Sequence, residues 1–361
     1  MGEKAKKIYQ KIGLPRIIII GFFLLLLFSA GPLGLSIPGL ISDVINRGAM
    51  YGILVLAMVP AVQSGIGLNF GISLGIVGGL LGALISIQLG IATNPALGWF
   101  APWMALIVAI LFGVLFSSLI GWGYGILLNR VKGDEMTVST YVGFSIIAFM
   151  NIMWLVLPFT SGELIWPLGG EGLRNTIGLE TSFGAVLNNA GGFYIGGENG
   201  VYFPTGLVLF FLGACLLMWL FLRSKKGMAM SAVGNNPMFA RASGINVNRM
   251  RILGTIISTA LGAVGIIVYA QSYGFLQLYN APLMMGFQCV AAVLIGGATT
   301  TRSRISHVIL GAFLFQGVLA VALPVANLIL PEGNLSEVAR IVISNGIILY
   351  ALTKTGGNSR E

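Results

Sequence analysis

The sequence predicts an all-α polytopic membrane protein with about ten transmembrane helices, and three observations support this fold class. Hydrophobic residues make up 56% of the 361 positions and charged residues only 9%, whereas soluble domains carry roughly a quarter charged residues. Uncharged stretches long enough to cross a bilayer recur along the chain, and the basic residues gather between them on one side of an alternating topology. A water-soluble globular protein is therefore excluded. The 52 glycines follow no Gly-X-Y period, so they indicate close helix packing rather than collagen.

The chain divides into ten apolar segments. Two long uncharged stretches, 48–129 and 252–301, hold three and two segments respectively, because one span needs about 20 apolar residues. Polar residues with Gly or Pro divide these stretches at 63–65, 93–95 and 279–282. The other segments lie at 17–42, 136–162, 199–222, 305–331 and 337–353. An even number of spans returns both termini to the same side of the membrane.

The distribution of charge orients this single transmembrane domain with both termini in the cytoplasm. All but three of the 20 Lys and Arg residues then lie inside, the exceptions being Arg47, Arg174 and Arg340. Segments 1–16 and 223–251 are cytoplasmic, and 159–200 is an extracytoplasmic loop expected to contain short ordered pieces. The formal net charge of +9 is thus explained by topology, and nucleic acid is not expected as a partner.

The predicted spans carry no charged residue near their middle. Proton relays and membrane hydrolases need such groups, so the protein is expected to be no enzyme, to bind no metal and to move a neutral or weakly polar solute. The two cysteines lie in apolar runs and form no metal or redox motif. The one histidine, His307, is expected at the interface beside Arg302 and Arg304. For these arginines, binding of membrane lipid phosphate is favoured over contact with a partner protein.

A glycine-rich motif occupies residues 64–79. It places Gly67, Gly71, Gly75 and Gly79 four residues apart, which predicts one helix face open to close packing. Its polar start at 64–69 predicts a broken or re-entrant helix. Two interpretations remain open, namely packing alone or a role for Gln63 or Asn69 near the solute path.

The start of the eighth span offers a second set of candidate path residues. Met284, Met285 and Gln288 combine two adaptable thioethers with an amide that could line a passage. A buried Gln serves equally well to hold two helices together, so both roles stay open.

The cytoplasmic segment 223–251 contains the start and stop signals of a short helix at 237–243. Asn236 suits the N-cap, Pro237 the first helical position and Gly244 the left-handed residue after the end. The apolar Met238 and Phe239 need a partner groove, or else a membrane surface. Asn246 or Asn248 is then expected to cap the seventh span.

Several segments carry a family likeness. They are Gly-Asn-Asn-Pro at 234–237, Ala-Arg-Ala-Ser-Gly-Ile-Asn-Val-Asn at 240–248, Ala-Ala-Val-Leu-Ile-Gly-Gly at 291–297 and Gly-Asp-Glu-Met-Thr-Val-Ser-Thr at 133–140. Together they resemble permease subunits of bacterial ATP-binding cassette importers of the ribose, nucleoside and branched-chain amino acid group. The segment at 133–140 is more similar to nucleoside-type members. The run Gly-Ile-Gly-Leu-Asn at 65–69 looks like the stretch where sugar permeases often have Gly-Gly-Ile-Asp-Leu-Ser, with Asn69 in place of that Asp.

The resemblance implies a type II importer permease in the bacterial plasma (inner) membrane, with spans 2–5 and 7–10 as inverted repeats. Its partners would be a second permease, identical or related, an extracytoplasmic solute-binding protein and cytoplasmic ATPases that bind ATP and Mg. The chain itself contains no phosphate-cradling Gly-x-x-x-x-Gly-Lys-Ser/Thr motif and needs no cofactor. The ATPases would grip the short helix through Asn236, Pro237, Met238, Phe239, Arg241, Ala242, Ser243 and Gly244.

The implied function is alternating-access import of a simple sugar or nucleoside. Two other classes of protein compete with it. One is a stand-alone secondary carrier or channel with broken helices, and the other is a non-transporting scaffold or receptor component.

Overall fold

A computed structural model describes residues 14–165, 172–197, 200–329, 338, 341–342 and 345–349, and these residues are mainly helical. In chain order the helices are α1 (Leu14–Ala30), α2 (Ile37–Leu56), α3 (Met58–Gln63), α4 (Ser73–Gln88), α5 (Ala101–Arg130), α6 (Glu135–Val156), α7 (Val186–Asn189), α8 (Thr205–Arg223), α9 (Lys225–Asn235), α10 (Pro237–Ala242), α11 (Val247–Tyr273), α12 (Asn280–Ile295) and α13 (Ile305–Ile329). The strands are β1 (Thr176–Gly178), β2 (Phe193–Ile195), β3 (Val201–Phe203) and β4 (Phe275–Gln277). Short 3₁₀ turns lie at Phe70–Ile72, Ile91–Thr93 and Pro95–Phe100.

The predicted all-α polytopic fold is confirmed. Among the described residues, seven helical segments are long and apolar enough to cross a membrane, and the shorter apolar helices α1 and α12 match the predicted first and eighth spans. The predicted breaks coincide with helix ends: α3 ends at Gln63, Asn94 separates two 3₁₀ turns, and α12 begins at Asn280. The tenth predicted segment, 337–353, lies mostly outside the described residues and stays a prediction.

The predicted bounds of the first span were wrong. The uncharged run 17–42 predicted one helix, but α1 ends at Ala30 and α2 begins at Ile37. The Ser36 side chain accepts a hydrogen bond from Gly39 N and Pro38 occupies the first turn, so a new helix starts here. Consequently Asp43 and Arg47 lie on α2 rather than in a loop.

The connections meet at two opposite ends of the helix bundle. At one end, Gln63 Nε2 donates to Ser303 O at 2.6 Å and Lys132 Nζ donates to Asn248 Oδ1 at 2.9 Å. We call this end, which carries residues 64–67, 131–134, 224–246 and 296–304, the basic end. The connections alternate between the two ends as predicted, and the assignment of the basic end to the cytoplasm remains a prediction.

The opposite end is covered by the segment that follows α6. Its strand β1 pairs antiparallel with β4, which precedes α12, in the register Thr176↔Gln277. The β2–β3 hairpin lies nearby, and Tyr202 N donates to Ser42 Oγ of α2 at 2.8 Å. The expected short ordered pieces are therefore present within 159–200, and β1 ties them to the entrance of α12.

Helix α4 packs closely between α5 and α11. A Cβ added at Gly79 would lie 2.8 Å from Cα of Ala263 on α11, and one at Gly78 would lie 2.8 Å from Cα of Ser117 on α5. The predicted single face was wrong at its start. Gly67 precedes the helix with a φ of 88°, and Gly71 lies in the 3₁₀ turn, because the chain becomes α-helical only at Ser73.

The packing agrees with the inverted repeats that the family likeness implied. Helix α2 packs along α13, and α11 packs along α5, so the first helix of each repeat lies against the third helix of the other. The second helices, α4 and α12, are each only 16 residues long, about 24 Å at 1.5 Å per residue. Helix α12 is shorter than the roughly 30 Å hydrocarbon core, so the chain before it is expected to enter the membrane without helical structure. The 3₁₀ turns at Phe70–Ile72 and Ile91–Thr93 extend α4 to a segment of 24 residues, and the non-helical chain before it is 64–69.

The substitution Gly79→Val should destabilise the protein, because the new side chain would overlap the backbone of α11. We expect a loss of about 1–3 kcal/mol or more, seen as a lower thermal unfolding midpoint in detergent. The matched control is Gly123→Val on α5, where an added Cβ meets nothing within 4 Å. Equal midpoints for the two variants would contradict this packing.

Candidate functional site

The non-helical chain between α3 and α4 is buried in protein. Gly65 and Gly67 have φ values of 76° and 88°, and Ser64 is completely buried. A Cβ at Gly65 would lie 3.2 Å from Cα of Gly234, so the break packs on the end of α9. Irregular backbone within a membrane is tolerated only where protein or a cavity satisfies it. The predicted broken helix is thus present, and protein surrounds it.

Asn69 joins four helical segments at this break. Its Nδ2 donates to Ser258 Oγ of α11 at 2.9 Å, and its Oδ1 accepts from Tyr124 Oη of α5 at 3.0 Å. The same oxygen accepts from Gly71 N at 3.0 Å, and Ser258 Oγ in turn donates to Ala57 O at 2.7 Å. We call these groups the Asn69 network. Only 1% of the Asn69 side chain is exposed, so the network holds α2, the start of α4, α5 and α11 together.

This geometry gives the packing interpretation of Asn69 direct support. Both its side-chain oxygen and its nitrogen are bonded to protein in this conformation. Gln63 is half-buried at the basic end, where its bond to Ser303 O joins α3 to the connection before α13. A place for either residue near the solute path remains a proposal.

The starts of α4 and α12 meet each other. Ser73 Oγ donates to Pro282 O at 2.8 Å, and the rings of Phe70 and Phe287 are 5.7 Å apart between centroids. Phe144 of α6 lies 6.0 Å from the Phe287 ring. A carrier built from inverted repeats binds its solute where such broken helices converge. We call this cluster of Phe70, Phe144 and Phe287 the aromatic junction.

The candidate residues of the eighth span lie on α12 within one turn of Phe287 along the helix. Met284 is 57% exposed, whereas Met285 is buried. The Tyr51 hydroxyl of α2 lies 3.0 Å from both Met285 O and Gln288 Oε1. Gln288 therefore helps to hold α12 against α2, and Met284 is the exposed member of the set. Sequence reasoning missed the three phenylalanines, since isolated Phe residues in apolar runs carry no distinguishing signal.

The short helix at the basic end has the predicted caps. Asn236 Oδ1 accepts from Phe239 N at 3.0 Å, and Gly244 follows the helix with a φ of 79°. The helix ends at Ala242 and Ser243 is its C-cap, one residue earlier than predicted. Met238 and Phe239 are 84% and 66% exposed. Of the two alternatives for the cap of α11, Asn246 is the one observed.

Helix α9 was not predicted, although it connects the short helix to the break. Ser224 caps it by accepting from Gly227 N, a signal that the sequence contains. Its Met230 and Val233 are fully buried, and Gly234 lies against the backbone of Gln63. Movement of α9 would therefore press directly on the break between α3 and α4.

A buried ion pair also went unpredicted. Arg251, in the second turn of α11, donates through Nη2 to Glu135 Oε1 at the first residue of α6. Glu135 Oε2 also accepts from Gly133 N at 2.9 Å. The pair links the segment after the short helix to the start of α6. Sequence analysis placed Arg251 in the cytoplasmic segment 223–251 without a partner, because charge counting along a sequence does not reveal which ends of two helices touch.

Comparison with known proteins gives one family and several distant relatives. The sequence model of the branched-chain amino acid transport system permease component matches residues 40–352. A tyrosine transport system permease protein of Clostridioides difficile is 28% identical over 165 residues, which is 44% of this chain and 52% of that protein. A galactofuranose transporter permease protein of Escherichia coli is 25% identical over 205 residues, covering 55% and 57% of the two chains.

A third relative is named for a nucleoside, guanosine. The guanosine ABC transporter permease protein NupP of Bacillus subtilis is 29% identical over 147 residues, 40% of each chain. The chain thus spans roughly half the length of the curated relatives it matches. No solved structure gives a significant match.

Replacing Asn69 with Ala should weaken the fold. The Tyr124 hydroxyl and the Gly71 N–H would lose their acceptor in a buried place, at a cost of about 2–4 kcal/mol. Asn94→Ala is the matched control, because Asn94 also accepts from the backbone two residues on but is exposed. We expect a clearly lower thermal midpoint for N69A than for N94A. Similar midpoints would mean that the Asn69 network contributes little.

The ion pair can be tested by removing one or both partners. Arg251→Met leaves the Glu135 carboxylate buried without its cation, which should cost about 3–5 kcal/mol of unfolding free energy. Adding Glu135→Met should recover most of that loss, since both charges are then gone. Chemical unfolding of the two variants measures this. Losses that simply add would show that the residues act independently.

Proposed function

Because the chain belongs to the family of branched-chain amino acid transport system permease components, we propose that it is the transmembrane subunit of an ATP-driven importer. It forms half of a translocation path for a neutral polar solute and works by alternating access. ATP and Mg are bound and used by separate cytoplasmic ATPases. The observation that carries the proposal is the capped helix α10, which presents Met238 and Phe239 to solvent at the basic end.

Helix α10 is suited to be the coupling helix, meaning the element that the ATPase grips. A helix of six residues does not persist alone in water, and here its caps and the buried Ala240 hold it in place. Met238 and Phe239 are large apolar side chains exposed to solvent on a helix that is held in place, and such side chains typically bind in a groove on a partner protein. Arg241, in the last turn and exposed, adds a charge that an acidic residue of the ATPase can pair.

A continuous set of contacts leads from α10 into the membrane. Helix α9 precedes α10 directly, and its Gly234 lies on the break at Gln63 and Gly65. The break continues into the Asn69 network and then into the start of α4 at Ser73. Closure of the ATPases would move α9 and α10 together and so shift α4 against α12 at the aromatic junction.

The path is proposed to run past the aromatic junction, with Met284 and Gln288 beside it and Gln63 and Asn69 toward the basic end. Aromatic faces and thioethers suit the apolar faces of a sugar ring or a nucleobase. An amide supplies hydrogen bonds without charge. Relatives are named for galactofuranose and guanosine, and also for tyrosine, so a simple sugar or a nucleoside is the favoured solute class.

The partners follow from the same proposal. The basic end faces the cytoplasm of the bacterial inner membrane and meets the ATPase. The opposite end, covered by β1–β4 and the β2–β3 hairpin, receives an extracytoplasmic solute-binding protein. A second permease, identical or related, supplies the other half of the path. The alternative is a stand-alone secondary carrier or channel, which would place the whole path within one chain.

The coupling role of α10 is tested by Phe239→Asp in the assembled complex. A carboxylate in an apolar groove should lower solute-stimulated ATP hydrolysis by about tenfold or more, as loss of an interface hot spot does. Phe239→Leu is the control, because it keeps an apolar side chain and should retain most of the stimulation. The assay is phosphate release by the purified complex in lipid nanodiscs.

Insertion of the chain is measured alongside, by the yield of folded F239D protein in the membrane. Since Phe239 is exposed, that yield should match the wild type. Unchanged stimulation of ATP hydrolysis in F239D would overturn the assignment of α10 as the coupling helix.

A further inference from the structure

Four cationic or ionisable side chains lie at the basic end of α1 and α13. Arg16 is in the first turn of α1, Arg302 and Arg304 are in the connection that follows α12, and His307 is in the first turn of α13. We call them the basic cluster. The proposed transport mechanism uses none of them.

Members of this cluster converge in space. The Arg16 guanidinium occupies the space that a side chain at Gly297 would take, and Gly297 is left-handed with a φ of 102°. Arg16 and Arg304 both lie close enough to His307 to act on it electrostatically. Two helices and one connection thus bring like charges to one place. Such an arrangement repels itself unless an anion neutralises it.

The described part of the chain supplies no such anion. Its one ion pair joins Arg251 and Glu135, so the three arginines of the cluster have no acidic partner among the described residues. The fully buried Ser303 hydroxyl, between Arg302 and Arg304 in sequence, has no hydrogen-bond partner, and neither has His307 Nδ1. Unpartnered buried polar atoms in a native fold call for an explanation, and a missing ion or ligand is one such explanation.

The position of the cluster indicates where the anion comes from. Helix α1 presents a broad apolar face, with Leu25 at 63% and Phe28 at 77% exposure. Such a face belongs against acyl chains, and Arg16 lies at the end of the same helix where phospholipid headgroups lie. Arginine also matches phosphate with two parallel hydrogen bonds.

We propose that Arg16, Arg304 and His307, with Arg302 at the rim, bind the phosphate of an anionic phospholipid. The acyl chains of that lipid lie along α1. A basic pocket between helices on the cytoplasmic side is the usual setting for such a headgroup. Bound there, the lipid joins α1 to the 296–304 connection, whose Ser303 O holds Gln63 at the break. The site rests on this geometry alone and stands whether or not the chain is an importer.

The test is lipid-dependent stabilisation of the purified full chain in neutral detergent. Phosphatidylglycerol is titrated while the thermal unfolding midpoint is followed, because a ligand of the folded state raises that midpoint. Parallel titrations use phosphatidylcholine and inorganic phosphate. The variant is Arg16→Gln with Arg304→Gln. The matched control is Arg130→Gln with Arg249→Gln, which removes the same charge from two exposed arginines at the same end.

We expect phosphatidylglycerol to stabilise the wild type and the control variant alike, with little effect of phosphatidylcholine. The R16Q/R304Q variant should bind phosphatidylglycerol about tenfold more weakly or worse, as loss of two charge-assisted contacts would give. If that variant does not fold, the single R16Q variant is assayed by native mass spectrometry for retained lipid. Three results would overturn the proposal: equal affinity in R16Q/R304Q, an equal loss in R130Q/R249Q, or stabilisation by inorganic phosphate that matches phosphatidylglycerol.

Discussion

The rest of the structure depends on one constraint, that peptide groups inside a membrane must find hydrogen-bond partners within the protein. Helix α12, of 16 residues, is too short to cross alone, and the chain enters the bundle before α4 through the non-helical residues 64–69. At this entrance the Asn69 network supplies partners to two peptide groups, since Asn69 Oδ1 accepts from Gly71 N and Ser258 Oγ of α11 donates to Ala57 O. Tyr124 of α5 joins the same network through Asn69 Oδ1. Glycines then let α4 approach α5 and α11 closely enough to exclude lipid. The break, its polar network and the glycines of α4 thus hold the same helices, α2, α5 and α11, together.

The same constraint accounts for the proposed function. Non-helical chain can move more readily than a helix, and the two entrances converge at Phe70, Ser73 and Phe287. The first entrance is also the surface on which α9 lies, through Gly234. A force applied at α10 therefore has a short path to the centre of the bundle. The Arg251–Glu135 pair provides a second link, from the segment after α10 to α6.

Sequence reasoning predicted the elements that depend on local signals. Sequence analysis could predict the caps at Asn236 and Gly244, the break at 64–69 and the alternation of loops between two ends. Each of these features depends on residue type and spacing. What it could not predict depends on contacts between distant segments. The Arg251–Glu135 pair joins residues 116 positions apart, and Asn69 with Ser258 are 189 apart. The aromatic junction likewise brings together three segments whose Phe residues look ordinary in sequence.

The central claim is that the aromatic junction lines a path whose access changes with the state of the ATPases. It is tested most directly with a cysteine at Met284, after Cys215 and Cys289 are replaced by Ala, in the complex of the chain with its ATPase and binding protein. A membrane-impermeant thiol reagent should label Met284→Cys from one side, and trapping nucleotide should change its rate severalfold. Leu111→Cys, on the exposed apolar face of α5, should stay unlabelled in both states. The account would be contradicted if Met284→Cys were labelled no faster than Leu111→Cys, or if trapping nucleotide left its labelling rate unchanged.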